Sequence, residues 1–182
     1  MRRSTMIVVL ITFALLLSVP GLAAEKENLA LRATVTVDST FTAYPEGTQL
    51  NDGELNDHDP EIDASWGRVA WASAEVAGDH WIELALAETS EVSGISIYWA
   101  RDAGEFKVSS HIVLQYWDGA NWVTITELRL PAEDRNLRST EVTFAPVTTD
   151  KIRVLQPSGG GPVYRPNIMW VAEVQVWGTP AA

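Results

Sequence analysis

His111-Ile112-Val113-Leu114-Gln115-Tyr116-Trp117-Asp118-Gly119-Ala120-Asn121-Trp122-Val123-Thr124-Ile125 is the stretch that decides the architecture. Ile112, Leu114 and Tyr116 recur at every second position, and Val123 and Ile125 resume the pattern after the turn. A period of two places alternate side chains on one face of an extended chain, which is how a half-buried strand is written. Between the runs, Asp118-Gly119-Ala120-Asn121 predicts a hairpin turn, because Gly119 can take the positive φ that a tight reversal needs. The same alternation returns in Ile82, Leu84 and Leu86, in Ile95, Ile97 and Trp99, in Val142 and Phe144, in Ile152 and Val154, and in Val174 and Val176. No window of ten or more residues carries helical spacing. Strands at this spacing with turn signals between them predict an all-β antiparallel sandwich or barrel.

The N-terminus follows a different logic. Arg2 and Arg3, the apolar run Ile7 to Leu17 and the small residues Gly21-Leu22-Ala23 have the layout of a secretory signal peptide over residues 1–23. Met6 to Leu22 is nearly long enough for an uncleaved membrane anchor, and Pro20 with the small residues after it favours cleavage. The mature chain of 159 residues is then sized for one core and is expected to be secreted or periplasmic. The chain has no cysteine, so no disulfide supports the fold. Its formal charge of −11 becomes −13 once the two leader arginines leave. A field of that sign repels phosphate backbones and anionic lipid, which excludes nucleic acid and disfavours membrane surfaces as partners.

Five short motifs occur in a fixed order: Asn28-Leu29-Ala30, Asn51-Asp52-Gly53, Trp71-Ala72-Ser73, Trp81-Ile82-Glu83-Leu84 and Ala172-Glu173-Val174-Gln175-Val176-Trp177-Gly178. In that order, with the Ser110–Trp122 hairpin between them, they resemble the coagulation factor 5/8 type C (discoidin) domain over residues 28–178. The resemblance implies a single jelly-roll sandwich, galactose-binding-domain-like, of about eight strands, with the termini close together at one end. It also implies function, since the bacterial members are largely carbohydrate-binding modules whose ligand site is made by three loops at one end.

Three segments here are longer than linking requires: 39–69, 101–109 and 157–170. Their aromatic residues are Phe41, Tyr44, Trp66, Phe106, Tyr164 and Trp170. An indole or phenol face suits the C–H patch of a pyranose, and planar side chains suit its hydroxyls. Tyr44, Trp66, Tyr164 and Trp170 are thus the candidate stacking rings, with Arg101, Asp102, Arg165 and Asn167 as candidate hydrogen-bonding partners. The alternative for each is packing under its own loop or simple solvation. Of the eight tryptophans, Trp71, Trp81, Trp99, Trp117, Trp122 and Trp177 lie in or beside strands and are expected to pack on the core or a sheet face. Gly159-Gly160-Gly161 reads as a flexible hinge that brings Tyr164 and Arg165 to the surface.

The segment Asn51 to Asp63 is dense in hard oxygen ligands, which suits calcium, although the glycine and glutamate positions of an EF-hand loop are absent. The resemblance implies a structural calcium between Asp52 and Glu173. Glu54, Asn56 and Asp57 are further candidate ligands from the acidic run, which is otherwise a solvated loop. Relatives usually reach their Trp-x-Ser a few residues after Asp-Gly; here 17 residues, 54–70, intervene.

Catalysis has little support. His58, His80 and His111 have no zinc spacing, and there is no Gly-x-Ser-x-Gly turn. The expectation is a noncatalytic module binding a neutral oligo- or polysaccharide. The rival class is an adhesion domain for a protein or lipid surface.

Overall fold

Alternation becomes strand almost everywhere the sequence shows it. The computed structural model describes residues 25–42, 47, 49–55, 70–131 and 137–181. The expected leader and the candidate residues Tyr44, Asn56, Asp57 and Trp66 lie outside them. The strands are β1 (Glu27–Asn28), β2 (Thr34–Val37), β3 (Trp71–Ala72), β4 (His80–Trp99), β5 (Arg101–Asp102) and β6 (Glu105–Phe106), followed by β7 (His111–Trp117), β8 (Trp122–Arg129), β9 (Ser139–Gln156) and β10 (Trp170–Pro180). Among the described residues the only helical element is the 3-10 turn Leu29–Arg32.

The pairing is antiparallel throughout, in the order β1-β10-β4-β9-β7-β8, with β2 added on β4 and β3 on β10. Two strands are much longer than the alternating runs predict. Ile82–Leu86 and Ile95–Trp99 belong to one strand, β4, and Val142–Val154 to one strand, β9. Register shifts at Ala85/Ser90 and Val92/Gly94 let β4 bend from one layer of the sandwich into the other while staying paired with β9. Its first half pairs with β2 and its second half with β10.

The inner faces meet in one apolar cluster. Ile82 and Leu84, Ile112 and Leu114, and Ile152 and Val154 come from one layer; Ile95, Ile97, Trp99, Val174 and Val176 come from the other. Each such side chain contributes roughly 1.5–3 kcal/mol on full burial, and without disulfides that burial holds the domain together. The turn after β7 forms as predicted: Gly119 has φ 99°, and the Asp118 carboxylate accepts the amides of Ala120 and Asn121 at 2.8 and 2.7 Å.

Of the strand tryptophans, Trp71 and Trp99 are fully buried. Trp81, Trp117 and Trp122 lie half-buried on an outer sheet face. Trp117 meets Trp122 edge-on at 5.4 Å, and Arg153 stacks 3.9 Å above Trp122 and 5.2 Å from Trp81 while pairing with Glu83. A guanidinium over an indole is a packing arrangement, as the strand positions predict. The termini adjoin as expected, Glu27 lying opposite Gly178.

The first two motifs also gain a physical meaning. The Asn28 side chain accepts the amides of Ala30 and Val176, which fastens the 3-10 turn to β10. Asn51 donates to the carbonyls of Ala30 and Ala33, which fastens the Asp52 turn to the same place.

Candidate functional site

The second and third long segments come together; the described part of the first joins them at Phe41. Residues 101–106 form a small hairpin, β5 against β6, turned by Ala103 and Gly104 at φ 52° and 79°. Loop 157–169 folds back beside it. A shallow cavity of about 70 Å³ separates them, lined by Phe106, Val108, Ser110, Pro131, Tyr164 and Arg165 among others. That volume holds a few waters, so the cavity is a notch beside a surface site and cannot enclose a ligand.

Arg165 is held by a carboxylate and two aromatic rings. Its Nε and Nη2 donate to the two carboxylate oxygens of Glu75 at 2.9 and 2.6 Å. The guanidinium also lies 5.8 Å from the Phe41 ring and 5.3 Å from the Trp170 ring. Its hydrogen bonds hold the Glu75 carboxyl below the usual carboxylate range. Glu75 is a partner the sequence did not suggest, because segment 73–79 is short and has no aromatic residue. Next to Arg165, Tyr164 is 74% exposed, the most exposed large hydrophobic side chain of the described residues.

Two candidates, Trp170 and Asp102, have other employment. Trp170 is not a surface platform: it opens β10, is 2% exposed, and packs with Ala70, Ala72, Ala100 and Ile168 beneath the loop. The Asp102 carboxylate pairs with Lys107 across the hairpin at 3.1 Å. Asn167 is half-buried, and its backbone carbonyl faces the ring of His80 at 3.1 Å. Arg101 lies 5.9 Å from the Phe106 ring, with its buried Nε lacking a partner among the described residues.

The triple glycine is no hinge. A Cβ on Gly161 would stand 2.5 Å from the Ile168 carbonyl oxygen and 2.6 Å from that of Arg165; one on Gly160 would meet His111 and Pro157 at 2.9 and 2.8 Å. Both glycines are buried. They serve close packing of the loop against itself and the start of β7, and so fix the position of Arg165.

At the Asn51–Gly53 turn, a carboxylate from β10 does meet the loop. The Gly53 amide donates to Oε1 of Glu173 at 3.1 Å, while Oε2 is buried without a partner among the described residues, and the residue is 0% exposed. Burial pushes the Glu173 pKa up to about 8, the Gly53 hydrogen bond works against that rise, and the Asp52 charge adds to it. Asp52 itself accepts the Glu54 amide at 2.8 Å. Among the described residues no group of three or more acidic or histidine side chains is placed to hold a metal. Asp52, Glu54 and Glu173 do not form such a group; the feature that suits a hard cation is the orphaned Glu173 oxygen alone, buried within reach of the Asp52 charge.

The F5/8 type C domain model matches residues 34–169. Among solved structures, chitosan-binding module 1 of a chitosanase/glucanase from Paenibacillus sp. IK-5 is 24% identical with a TM-score of 0.62, over 84% of this chain and 99% of that one. The family 32 module of Clostridium perfringens NanJ, solved with galactose, is 18% identical with a TM-score of 0.62, over 84% and 98% of the two chains. A Streptococcus pneumoniae fucose binding module is 20% identical with a TM-score of 0.61, over 84% and 96%. Comparison with curated proteins finds no match.

Proposed function

The chain belongs to the F5/8 type C domain family, and on that premise we propose that it is a secreted or periplasmic, noncatalytic carbohydrate-binding module. The observation that carries the reading is the placement of a guanidinium held by Glu75, that of Arg165, next to an exposed phenol, Tyr164, on one loop. Tyr164 offers a face for pyranose C–H groups, and Arg165 offers donors beside it. Arg101 lies on the neighbouring hairpin, so a glycan seated on Tyr164 would run along the notch between the two loops. The solved structures of this fold that carry chitosan-binding, galactose-bound and fucose-binding names support the ligand class.

The rival reading, adhesion to a protein or lipid surface, draws on the exposed pair Val163 and Tyr164 at the loop tip. A mature charge of −13 opposes an anionic bilayer. A glycan array run beside a liposome pull-down separates the two. Sugar binding lost in Tyr164→Ala supports the module; liposome capture without any glycan signal overturns it.

We further propose that a calcium ion bridges Asp52 and Glu173, with Glu54 beside them and Asn56 and Asp57 as additional ligands. The ion would neutralise two carboxylates forced together and tie the Asn51–Gly53 turn to β10, so its role is structural. Support comes from the orphaned Glu173 oxygen.

A further inference from the structure

The notch between the 101–106 hairpin and loop 157–169 has a volume of about 70 Å³, too small for a sugar ring and too large for a single water. Its walls are chiefly carbon: Phe106 and Val108 from the hairpin side, Pro131 after β8, and Pro162, Val163 and Tyr164 from the loop. The two cations that line it are already paired within the chain, Lys107 with Asp102 at 3.1 Å and Arg165 with Glu75 at 2.6 Å, and Glu105 is likewise engaged. A charged group entering the notch would exchange water for apolar walls and for charges that already have partners, which is costly. A small neutral group with an apolar end meets no such penalty.

The walls are tied to one another by backbone hydrogen bonds. The Ser110 amide donates to the Gly161 carbonyl at 3.3 Å, the Leu130 amide to the Ser110 carbonyl at 2.9 Å, and the Arg165 amide to the Pro162 carbonyl at 2.8 Å. Pro131 and Pro162 have their φ fixed by the ring, and Gly161 is packed too closely to admit a side chain. Farther along the loop, the Asn167 carbonyl oxygen stands 3.1 Å from Nε2 of the buried His80 ring, whose Nδ1 stands 2.8 Å from Oδ2 of Asp38. A recess that exists before the ligand arrives saves the cost of ordering it on binding. Tyr164 both lines the notch and is 74% exposed, so a sugar ring laid on the phenol holds its substituents at the mouth of the notch.

We propose that the notch takes the acetyl group of an N-acetylhexosamine whose ring lies on Tyr164. Size decides among substituents. Room for a few waters matches the carbonyl and methyl of an acetyl group, whereas a lone methyl leaves part of the recess empty and a longer acyl chain presses on Pro131 and Pro162. The carbon walls favour the methyl end, and the neutral amide brings no charge with it. The formal charge of the chain, −11, acts in the opposite direction, since on its own it attracts the cationic free amine. Acetylated and free amino sugars therefore separate the two effects. The assignment rests on the proposed glycan reading.

Calorimetric titration of the whole chain tests this with glucosamine and galactosamine, each as the free amine and as its N-formyl, N-acetyl and N-butyryl derivative, and with galactose and fucose alongside. For the epimer that binds, the N-acetyl sugar should bind about tenfold more tightly than the free amine or the N-formyl compound, and the N-butyryl sugar should lose that gain. Methyl NMR signals of Val108 and Val163 should move when the N-acetyl sugar is added. Ser110→Leu, which fills the notch, should bring the ratio of N-acetyl to N-formyl affinity close to unity. Val163→Phe fills it from the loop side and serves the same end should Ser110→Leu lower the melting temperature. The ratio is read within one variant, so a general loss of affinity does not imitate the result. A free amine or N-butyryl sugar that binds as tightly as the N-acetyl sugar, tighter binding of fucose, or unmoved methyl signals with the N-acetyl sugar bound overturns the acetyl assignment and leaves the glycan reading standing. Failure of every sugar to bind overturns both.

Discussion

Glu173→Gln is the substitution with the most to say about this fold, because Glu173 combines full burial, one satisfied oxygen and one orphaned oxygen. In the metal-free protein its pKa rises from 4.5 to about 8. The folded state then keeps a proton that the unfolded chain gives up above about pH 4.5. Stability is accordingly lost as pH climbs through the window from 4.5 to 8, and it levels off beyond. At 1.36 kcal/mol per unit the full shift corresponds to about 5 kcal/mol, the upper bound of the loss. Glutamine imitates the protonated acid and still accepts the Gly53 amide. In urea denaturation with chelator present, the parent should therefore lose stability between pH 5 and 8, while Glu173→Gln stays level and exceeds it at pH 8. Calcium should restore the parent at pH 8 by about 2.7 kcal/mol at a hundred times its dissociation constant, and should do little for the glutamine variant. A metal-free parent whose stability does not change from pH 5 to 8 would refute the reasoning about the buried carboxylate. A parent indifferent to calcium would refute the metal.

Gly161→Ala should destabilise by about 1–3 kcal/mol or more, since its Cβ would press on two backbone carbonyls that cannot move independently; a thermal melt checks this, and an unchanged midpoint would mean that the loop is softer than its contacts imply. Arg165→Lys keeps the charge but loses the two-pronged grip on Glu75, so sugar affinity should drop about tenfold, whereas Arg101→Lys should have the smaller effect; equal affinities in calorimetry would place the donors elsewhere. On the proposed glycan reading, Tyr164→Ala should cost about 1–3 kcal/mol of binding with the melting temperature unchanged, because the ring is exposed and packs little of the core.

The strands were legible because burial on one face imprints a period of two. Ile82, Leu84, Ile112, Leu114, Ile152 and Val154 announce their strands and their inward face without help from any partner. What the pattern does not encode is continuity. Residues 87–94 and 145–150 lose the alternation where β4 and β9 pass from one layer to the other, since a strand bending at a bulge changes which side faces the core. The stretches on either side of such a bend therefore read as separate strands, although one continuous strand runs through both.

The candidate site follows from residue type in the sequence, and its arrangement does not, for a different reason. Arg165 and Tyr164 stood out because a long loop has no packing need for them, and the fold leaves Tyr164 exposed and holds Arg165 at the surface. Trp170 carried the same signal, yet it is the first residue of β10, where its ring completes a cluster of four alanines and Ile168. A position shift of one residue decides between platform and core, and composition cannot resolve that. Glu75 and Asp38 were invisible for a third reason: each matters only through a partner 90 or 42 residues away, Arg165 or His80. Sequence separation of that size is spanned by the sandwich topology alone, so the electrostatics that orient these loops become readable only once β2, β4 and the start of β10 have been brought to the same end.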